Sequence, residues 1–275
     1  MKQYSTAGIS NEVAETLFIT VYMRHLENLR PDKIISDPDA SRIVKQTNYD
    51  FAKYDKATRS QIGTCIRVRH FDRLTREFID QHEDPVVISF GCGLDSRANR
   101  IGLDKGTLYN VDLPEVIDVR NKLLPPDERS VSLARSLFDP SLPKEIRDKH
   151  PEASFLVLFE GVLMYFPEEE VRPVLERIAA TLNPGQLVFD ACSPLGCRMS
   201  SKHDTVKHTS ATFKWGLGDP AAVERWAPNL SLSGVTYYMH QEKGRWDLMS
   251  RIMALFPKIA KSYCMLEYDM STIYS

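Results

Sequence analysis

The chain has 275 residues, 43% of them hydrophobic and 26% charged, the balance of a globular protein that can bury one large core with an appended lobe. This excludes a disordered tail protein, and 13 glycines and 16 prolines scattered without a period exclude a collagen-like or repeat chain. With 35 basic and 37 acidic residues the formal charge is −2, so no global field attracts nucleic acid or an anionic membrane, and neither is expected as a partner.

No apolar run approaches the roughly 20 residues that span a bilayer, and the first residues lack the apolar stretch of a signal peptide, so a cytoplasmic location is expected. The five cysteines (Cys65, Cys92, Cys192, Cys197, Cys264) are odd in number and contain no Cys-x-x-Cys pair. Reduced thiols are expected, with no metal site and no disulfide framework.

The first 80 residues read as helical. Asn11 to Leu29 carries Val13, Leu17, Val21 and Leu26 near helical spacing. Asp37-Pro38 reads as a turn, Ser41 to Phe51 as a second helix, and Ile62 to Ile79 as a third with Ile66, Phe71, Leu74 and Phe78 on one side. At residue 85 the pattern changes to short apolar strands of the kind buried on both faces: Val86 to Phe90, Thr107 to Val111, Val131 to Ala134, Phe155 to Phe159 and Leu187 to Phe189. Pro114 to Leu124 and Glu168 to Leu182 fit helices between them. The second of these has the stripe Val171, Leu175, Ile178 and Leu182 and stops at Asn183-Pro184-Gly185. Strand–helix alternation over about a hundred residues implies a doubly wound, mainly parallel α/β sheet.

After Cys192 the alternation breaks. Residues 193–216 carry no period and read as a long loop or lid. A short helix near Asp219, a strand from Leu230 to Met239, a helix from Trp246 to Ile259 and a strand from Tyr263 to Met270 follow. With no linker in evidence, the chain reads as one domain: 1–84 a helical cap, 85–192 a ligand-binding core, 193–275 a lid and terminal strands.

The chemistry gathers at the strand ends. Gly91-Cys92-Gly93-Leu94-Asp95-Ser96-Arg97 directly follows the first strand, where open α/β sheets bind ligands, and its glycines let a ligand approach the backbone. Ser96 replaces the third glycine of a dinucleotide fingerprint, and a ligand-free tight turn is an equal reading of this loop alone. Asp112 ends the second strand, about 20 residues on, in position for ribose hydroxyls; the alternative is a helix cap. Together, loop and acid point to an adenosine-containing cofactor. Asp139 lies after the third strand, where a polar group can meet the adenine amine. Glu160 closes the fourth, with Gly161 thinning the wall beside it; its other reading is a salt bridge.

These segments, with Ile35-Ser36-Asp37-Pro38-Asp39-Ala40, Ile66-Arg67-Val68-Arg69, Val111-Asp112-Leu113-Pro114-Glu115-Val116 and Glu160-Gly161-Val162-Leu163-Met164-Tyr165, resemble the leucine carboxyl methyltransferase superfamily. Within it the chain is most similar to small-molecule O-methyltransferases of the tetracenomycin-biosynthesis type. The resemblance spans residues 35–165, with weaker likeness to about 230. It implies a Rossmann-like class I methyltransferase sheet with a helical N-terminal cap and a lid insertion after the fifth strand. It also implies S-adenosylmethionine as cofactor, with Arg67 on the methionine carboxylate, Gly91 and Gly93 at the amino acid part and ribose, Asp112 on the ribose hydroxyls, Glu160 at the amino acid end, and Cys92 and Leu113 also among the cofactor-binding residues. The family carries an acid where this sequence has Ser136, before Leu137, so adenine falls either to Ser136 or to Asp139.

The expected reaction is methyl transfer to an oxygen of a small-molecule acceptor, carboxylate or phenol, in secondary metabolism. The competing readings are methylation of a protein C-terminal carboxylate and a non-catalytic S-adenosylmethionine-binding regulator. No acid–base dyad stands out, which favours an acceptor already ionised. His203, His208 and Tyr165 are the catalytic candidates and His240 a further candidate near the acceptor. Tyr22, Tyr165, Phe213 and Trp215 are candidates for an aromatic acceptor wall, and Arg69 reads as a solvated helix face or a second ligand contact.

Overall fold

The computed structural model describes residues 4–5, 11–199 and 212–272. A two-residue parallel pairing of β1 (Tyr4–Ser5) with β2 (Thr47–Asn48) ties the start of the chain to the cap. The cap helices are α1 (Asn11–Asn28), α2 (Pro38–Gln46) and α3 (Thr58–Gln81). The core alternates β3 (Pro85–Phe90), α4 (Arg97–Ile101), β4 (Thr107–Asp112), α5 (Pro114–Leu123), β5 (Ser130–Ala134), α6 (Leu142–Lys149), β6 (Ser154–Phe159), α7 (Glu168–Thr181) and β7 (Gly185–Cys192). After α8 (Pro194–Arg198) come β8 (Leu230–Tyr237), α9 (Leu248–Met253), α10 (Pro257–Ala260) and β9 (Tyr263–Met270).

The large sheet has the order β5-β4-β3-β6-β7-β9-β8. β3 to β7 are parallel, and β9 runs antiparallel between β7 and β8. β3 is flanked by β4 on one side and β6 on the other, so the chain reverses its direction of winding at β3. Crossovers leave a crevice outside the carboxyl ends of the strands at such a reversal.

Every residue of β3 is buried, as its unbroken apolar run requires. One face of the sheet packs Phe90, Phe155, Phe159 and Phe189 against α6 and α7 through Ile146, Val171, Leu175 and Ile178. The other face packs Val87, Leu156, Leu158 and Val188 against Ile62, Ile66, Phe71 and Phe78 of α3. A third cluster joins α1 and α2 to α5 through Val21, Met23, Ile43, Val116 and Leu123, and so seats the cap beside the crevice.

Several boundaries differ from those the sequence suggests. α2 starts at Pro38, because the Asp37 carboxylate caps it by accepting the Ala40 N–H, and it ends at Gln46 rather than Phe51. The helix expected over Trp246 to Ile259 is two short helices, since Pro257 cannot continue α9 and instead begins α10. Near Asp219 the helix is a 3-10 turn, Pro220–Arg225, and β8 gives way to another at Tyr238–His240. The expected lid begins with α8; its stretch 200–211 lies outside the described residues, and beyond it the Lys214 and Trp215 N–H groups donate to the Met164 carbonyl and the Leu217 N–H to the Cys192 carbonyl.

Candidate active site

Three glycines shape the crevice. Gly91 (φ 62°) and Gly93 (φ 48°), after β3, and Gly161 (φ 72°), after β6, hold the left-handed region that side chains disfavour. A Cβ at Gly91 would lie 2.5 Å from Val162, and one at Gly161 would meet the Arg67 guanidinium at 3.0 Å. The crevice these loops border has a volume of about 710 Å³ and opens at the carboxyl ends of β3 to β6.

Asp112, at the end of β4, is held by two backbone donors: the Gly93 N–H at 2.8 Å on one carboxylate oxygen and the Leu113 N–H at 2.8 Å on the other. Each oxygen keeps a further lone pair for a ligand. Burial raises its pKa above the ordinary carboxylate value, and the two N–H bonds oppose that rise. The cap on α5 is the backbone of Leu113, so Asp112 is not spent on the helix.

Arg67 on α3 reaches across to the ends of β6 and β7. Its Nε donates to Glu160 (3.1 Å) and its Nη1 to Asp190 (3.1 Å), while Nη2 has no hydrogen-bond partner among the described residues. Burial opposes the Arg67 charge, but Asp190, Tyr238 and Glu160 together push its pKa up, so it is permanently cationic. Asp190 also accepts the Gly161 N–H (2.5 Å) and the Tyr238 hydroxyl (3.2 Å). Glu160 accepts a second arginine, Arg97.

Beneath the glycine loop lies a layer of paired charges. Asp95 meets Arg24 (3.0 Å), Arg97 (3.2 Å) and Arg100 (2.7 Å); Asp72 meets Arg97 and Arg100; Asp37 meets Arg24 and Arg100 and accepts the Ser96 hydroxyl. Burial pushes Asp37 up, but the Arg24 and Arg100 charges outweigh it and hold the carboxyl below its ordinary range. This layer locks cap, loop and α4 together.

Ser136, Leu137 and Phe138 line the crevice beyond Asp112, and Phe138 packs edge-on against Phe166 at 4.9 Å. Asp139 is turned away: Arg135 donates to it at 2.6 Å, and the Ser141 N–H and hydroxyl donate to its other oxygen. On the opposite side Tyr165, Thr212 and Lys214 contribute, and Tyr165 packs edge-on against Phe213 at 5.2 Å. Burial pushes the Tyr165 phenol up to about 12, so it is neutral near physiological pH.

The leucine carboxyl methyltransferase family profile matches residues 18–179, more than half of the chain. The chain is 32% identical over 219 residues to the tetracenomycin polyketide synthesis O-methyltransferase of Streptomyces glaucescens, covering 79% of this chain and 80% of the relative. The chain belongs to the leucine carboxyl methyltransferase family. It is a methyltransferase, and its methyl donor is S-adenosylmethionine. A second relative, an S-adenosyl-L-methionine-dependent methyltransferase of Gibberella zeae, is 25% identical over 248 residues, 82% of each chain. Among solved structures, a DUF574 family protein from Streptomyces avermitilis superposes with a TM-score of 0.55 at 10% identity, over 94% of this chain and 99% of its own. Magnesium protoporphyrin IX methyltransferase from Synechocystis PCC 6803, solved with bound SAH, superposes with a TM-score of 0.50 at 13% identity, over 85% and 93%. These likenesses establish the class I methyltransferase fold.

The crevice suits the family's donor. Asp112, with a lone pair to spare on each oxygen, and Arg67, whose Nη2 has no partner among the described residues, both line it, and glycine at 91 and 161 lets Val162 and the Arg67 guanidinium pack close behind the loops. Of the residues expected at the cofactor, Arg67, Gly91, Cys92, Gly93, Asp112, Leu113, Ser136, Leu137 and Glu160 line this one cavity, and Asp139 does not. Glu160 satisfies both of its readings, as a crevice wall and as a salt-bridge partner. Cys92 is buried, and burial pushes its thiol up to about 12, so it is inert packing rather than a nucleophile. Arg69 pairs with Glu242 outside the crevice. Tyr22 stacks on Phe51 and donates to Asp55 in the cap. Trp215 is buried against Phe189 and donates to Glu168, and His240 lies beside Tyr237. His203 and His208 lie outside the described residues. Sequence reasoning missed Asp190 and Tyr238. The signal was a lone aspartate inside an apolar strand, which is costly unless paired, one residue beyond where the expected strand stops.

Proposed function

We propose that the protein transfers the methyl group of S-adenosylmethionine to an oxygen of a small-molecule acceptor in secondary metabolism, acting as one methyltransferase domain with residues 1–84 as its cap. The observation that carries this reading is that Asp112, the Gly91–Gly93 loop and Arg67 line one cavity beside the sheet's reversal point. The 32% identity to an O-methyltransferase of polyketide synthesis supports an oxygen acceptor of that kind.

S-adenosylmethionine supplies a sulfonium methyl already activated toward a nucleophile. Asp112 would take the ribose hydroxyls through its two free lone pairs. Arg67 would direct Nη2 to the methionine carboxylate while Glu160 and Asp190 fix the rest of its fork. Gly91 and Gly93 would let the donor rest on the backbone, and Ser136, Leu137 and Phe138 would hold the adenine with one hydroxyl and an apolar wall. Asp139 is committed to Arg135 and Ser141, which favours Ser136 for that contact.

The remaining task of the chain is to hold the acceptor oxygen about 3 Å from the methyl carbon, in line, with water excluded. Tyr165 is too weak an acid to serve as a base and suits hydrogen-bond donation to the acceptor. Lys214 also lines the cleft, and a cationic residue there suits an acceptor that is already an anion. A carboxylate is ionised at neutral pH, whereas a phenol with a pKa of about 10 would need a base. The test is transfer of labelled methyl from S-adenosylmethionine to a panel of aromatic carboxylic acids, phenols and a protein with a C-terminal leucine carboxylate. Ester products on small acids support the reading; label only on the protein replaces the acceptor, and no transfer with intact donor binding points to a regulator.

A further inference from the structure

Eight large apolar residues are strongly exposed among the described residues, and five of them fall within nine positions: Leu248 (74% exposed), Met249, Ile252, Leu255 (78%) and Phe256. Of the exposed basic residues nearby, Arg251 lies among them, Lys243 precedes them, and Lys258 and Lys261 follow. The two acids of residues 241–261 are already committed, Asp247 to Arg59 and Glu242 to Arg69. The near-neutral charge of the whole chain therefore conceals a local patch that is both apolar and cationic.

We infer that α9 and α10, with the segment joining them, dock this protein onto an anionic phospholipid surface. Surface-seeking helices pair exposed leucine and phenylalanine with lysine and arginine, and single-chain attraction to acidic lipids comes from such clusters. Solitary exposed apolar residues need no account, but a contiguous group does. A second copy of the chain is the poorer fit, because an isologous contact sets like cations against one another. A protein partner fits less well, because protein hot spots favour tryptophan and tyrosine over leucine. No helix among the described residues is long and apolar enough to cross a membrane, so the association is peripheral.

The patch also has a useful place. β9 begins at Tyr263 beside Cys192, the carboxyl end of β7, so α10 lies at the end of the sheet where the crevice opens. Docking turns that end of the protein toward the lipid.

The test is co-sedimentation of the full chain with vesicles of phosphatidylcholine alone and of phosphatidylcholine with phosphatidylserine. The expected result is binding to the acidic vesicles, lost at high salt and absent on the neutral ones. Replacing two cations (Arg251→Gln with Lys258→Gln) should weaken partition about 25-fold, roughly fivefold for each charge. Leu255→Ser with Phe256→Ser should weaken it at least tenfold, with unchanged thermal unfolding as the folding control. No sedimentation with acidic vesicles, or binding indifferent to both double variants, overturns the inference. So does a concentration-dependent dimer that Leu255→Ser with Phe256→Ser converts to monomer, which assigns the patch to a second copy.

Discussion

At the scale of single residues, two aspartates divide the work of the crevice. Asp112 faces it with spare lone pairs, and Asp112→Asn should weaken S-adenosylhomocysteine binding by about tenfold or more, a loss of ~1–3 kcal/mol for a charge-assisted contact. Its pKa is raised by burial, so the carboxylate is protonated at a higher pH than an ordinary aspartate. Affinity for the product should therefore decline on acidification before free aspartate would titrate, and calorimetry across acid pH in the wild type and Asp112→Asn checks this, the variant showing no such step. Asp190 works behind the wall. It is 4% exposed and holds Arg67, Tyr238 and the Gly161 N–H at once. Asp190→Ala leaves Arg67 with Glu160 alone and takes the acceptor from the Tyr238 hydroxyl and the Gly161 N–H, so it should cost ~1–3 kcal/mol or more in denaturant unfolding; a loss below ~1 kcal/mol would show that these groups do not depend on it.

At the scale of elements, the strands were legible because β3 and β6 are buried on both faces and so read as unbroken apolar runs, while helix ends were legible only where the stop signal was local. Asn183-Pro184-Gly185 marked the end of α7 correctly within a residue or two. Asp37-Pro38 looked like a turn because the same pair serves turns and helix starts; what decides for a helix is the Ala40 N–H on the Asp37 carboxylate. The split of α9 from α10 rests on Pro257, visible in sequence, yet the apolar spacing on either side ran through it. Gly91, Gly93, Asp112 and Glu160 were legible because each sits at a strand end, and Arg67, inside α3, only through the family resemblance, whereas Asp190 and Tyr238 act through contacts distant in sequence. Asp37 carries a further consequence for α2. Its folded pKa is held below the ordinary 3.8. A carboxylate depressed in the fold contributes stability above its unfolded pKa and loses it as pH falls through the folded value. Thermal stability should therefore drop below about pH 4, and Asp37→Asn should be less stable at neutral pH with a flatter acid limb. Parallel acid profiles for the two proteins would remove Asp37 from this role.

At the scale of the whole molecule, the cap, the reversal point of the sheet and the residues after β7 enclose one cavity from three sides. Leu17, Thr20 and Arg24 line it from α1, the strand ends line it from the sheet, and Thr212 and Lys214 line it from the segment after β7, the side we propose for the acceptor. We propose that this segment serves as a cover that excludes water when donor and acceptor are both present. Hydrogen exchange at residues 212–217 should slow on adding S-adenosylhomocysteine with an accepted substrate, and exchange indifferent to both would place the cover elsewhere. Whether this cavity is the S-adenosylmethionine site is decided by isothermal calorimetry with S-adenosylhomocysteine. One site per chain is expected, with a dissociation constant of roughly 1–100 μM, weakened far more by Arg67→Ala than by Arg69→Ala, because Arg69 is occupied with Glu242 outside the cleft. No heat with S-adenosylhomocysteine alongside tight binding of NADH, or equal losses in the two arginine variants, would contradict it.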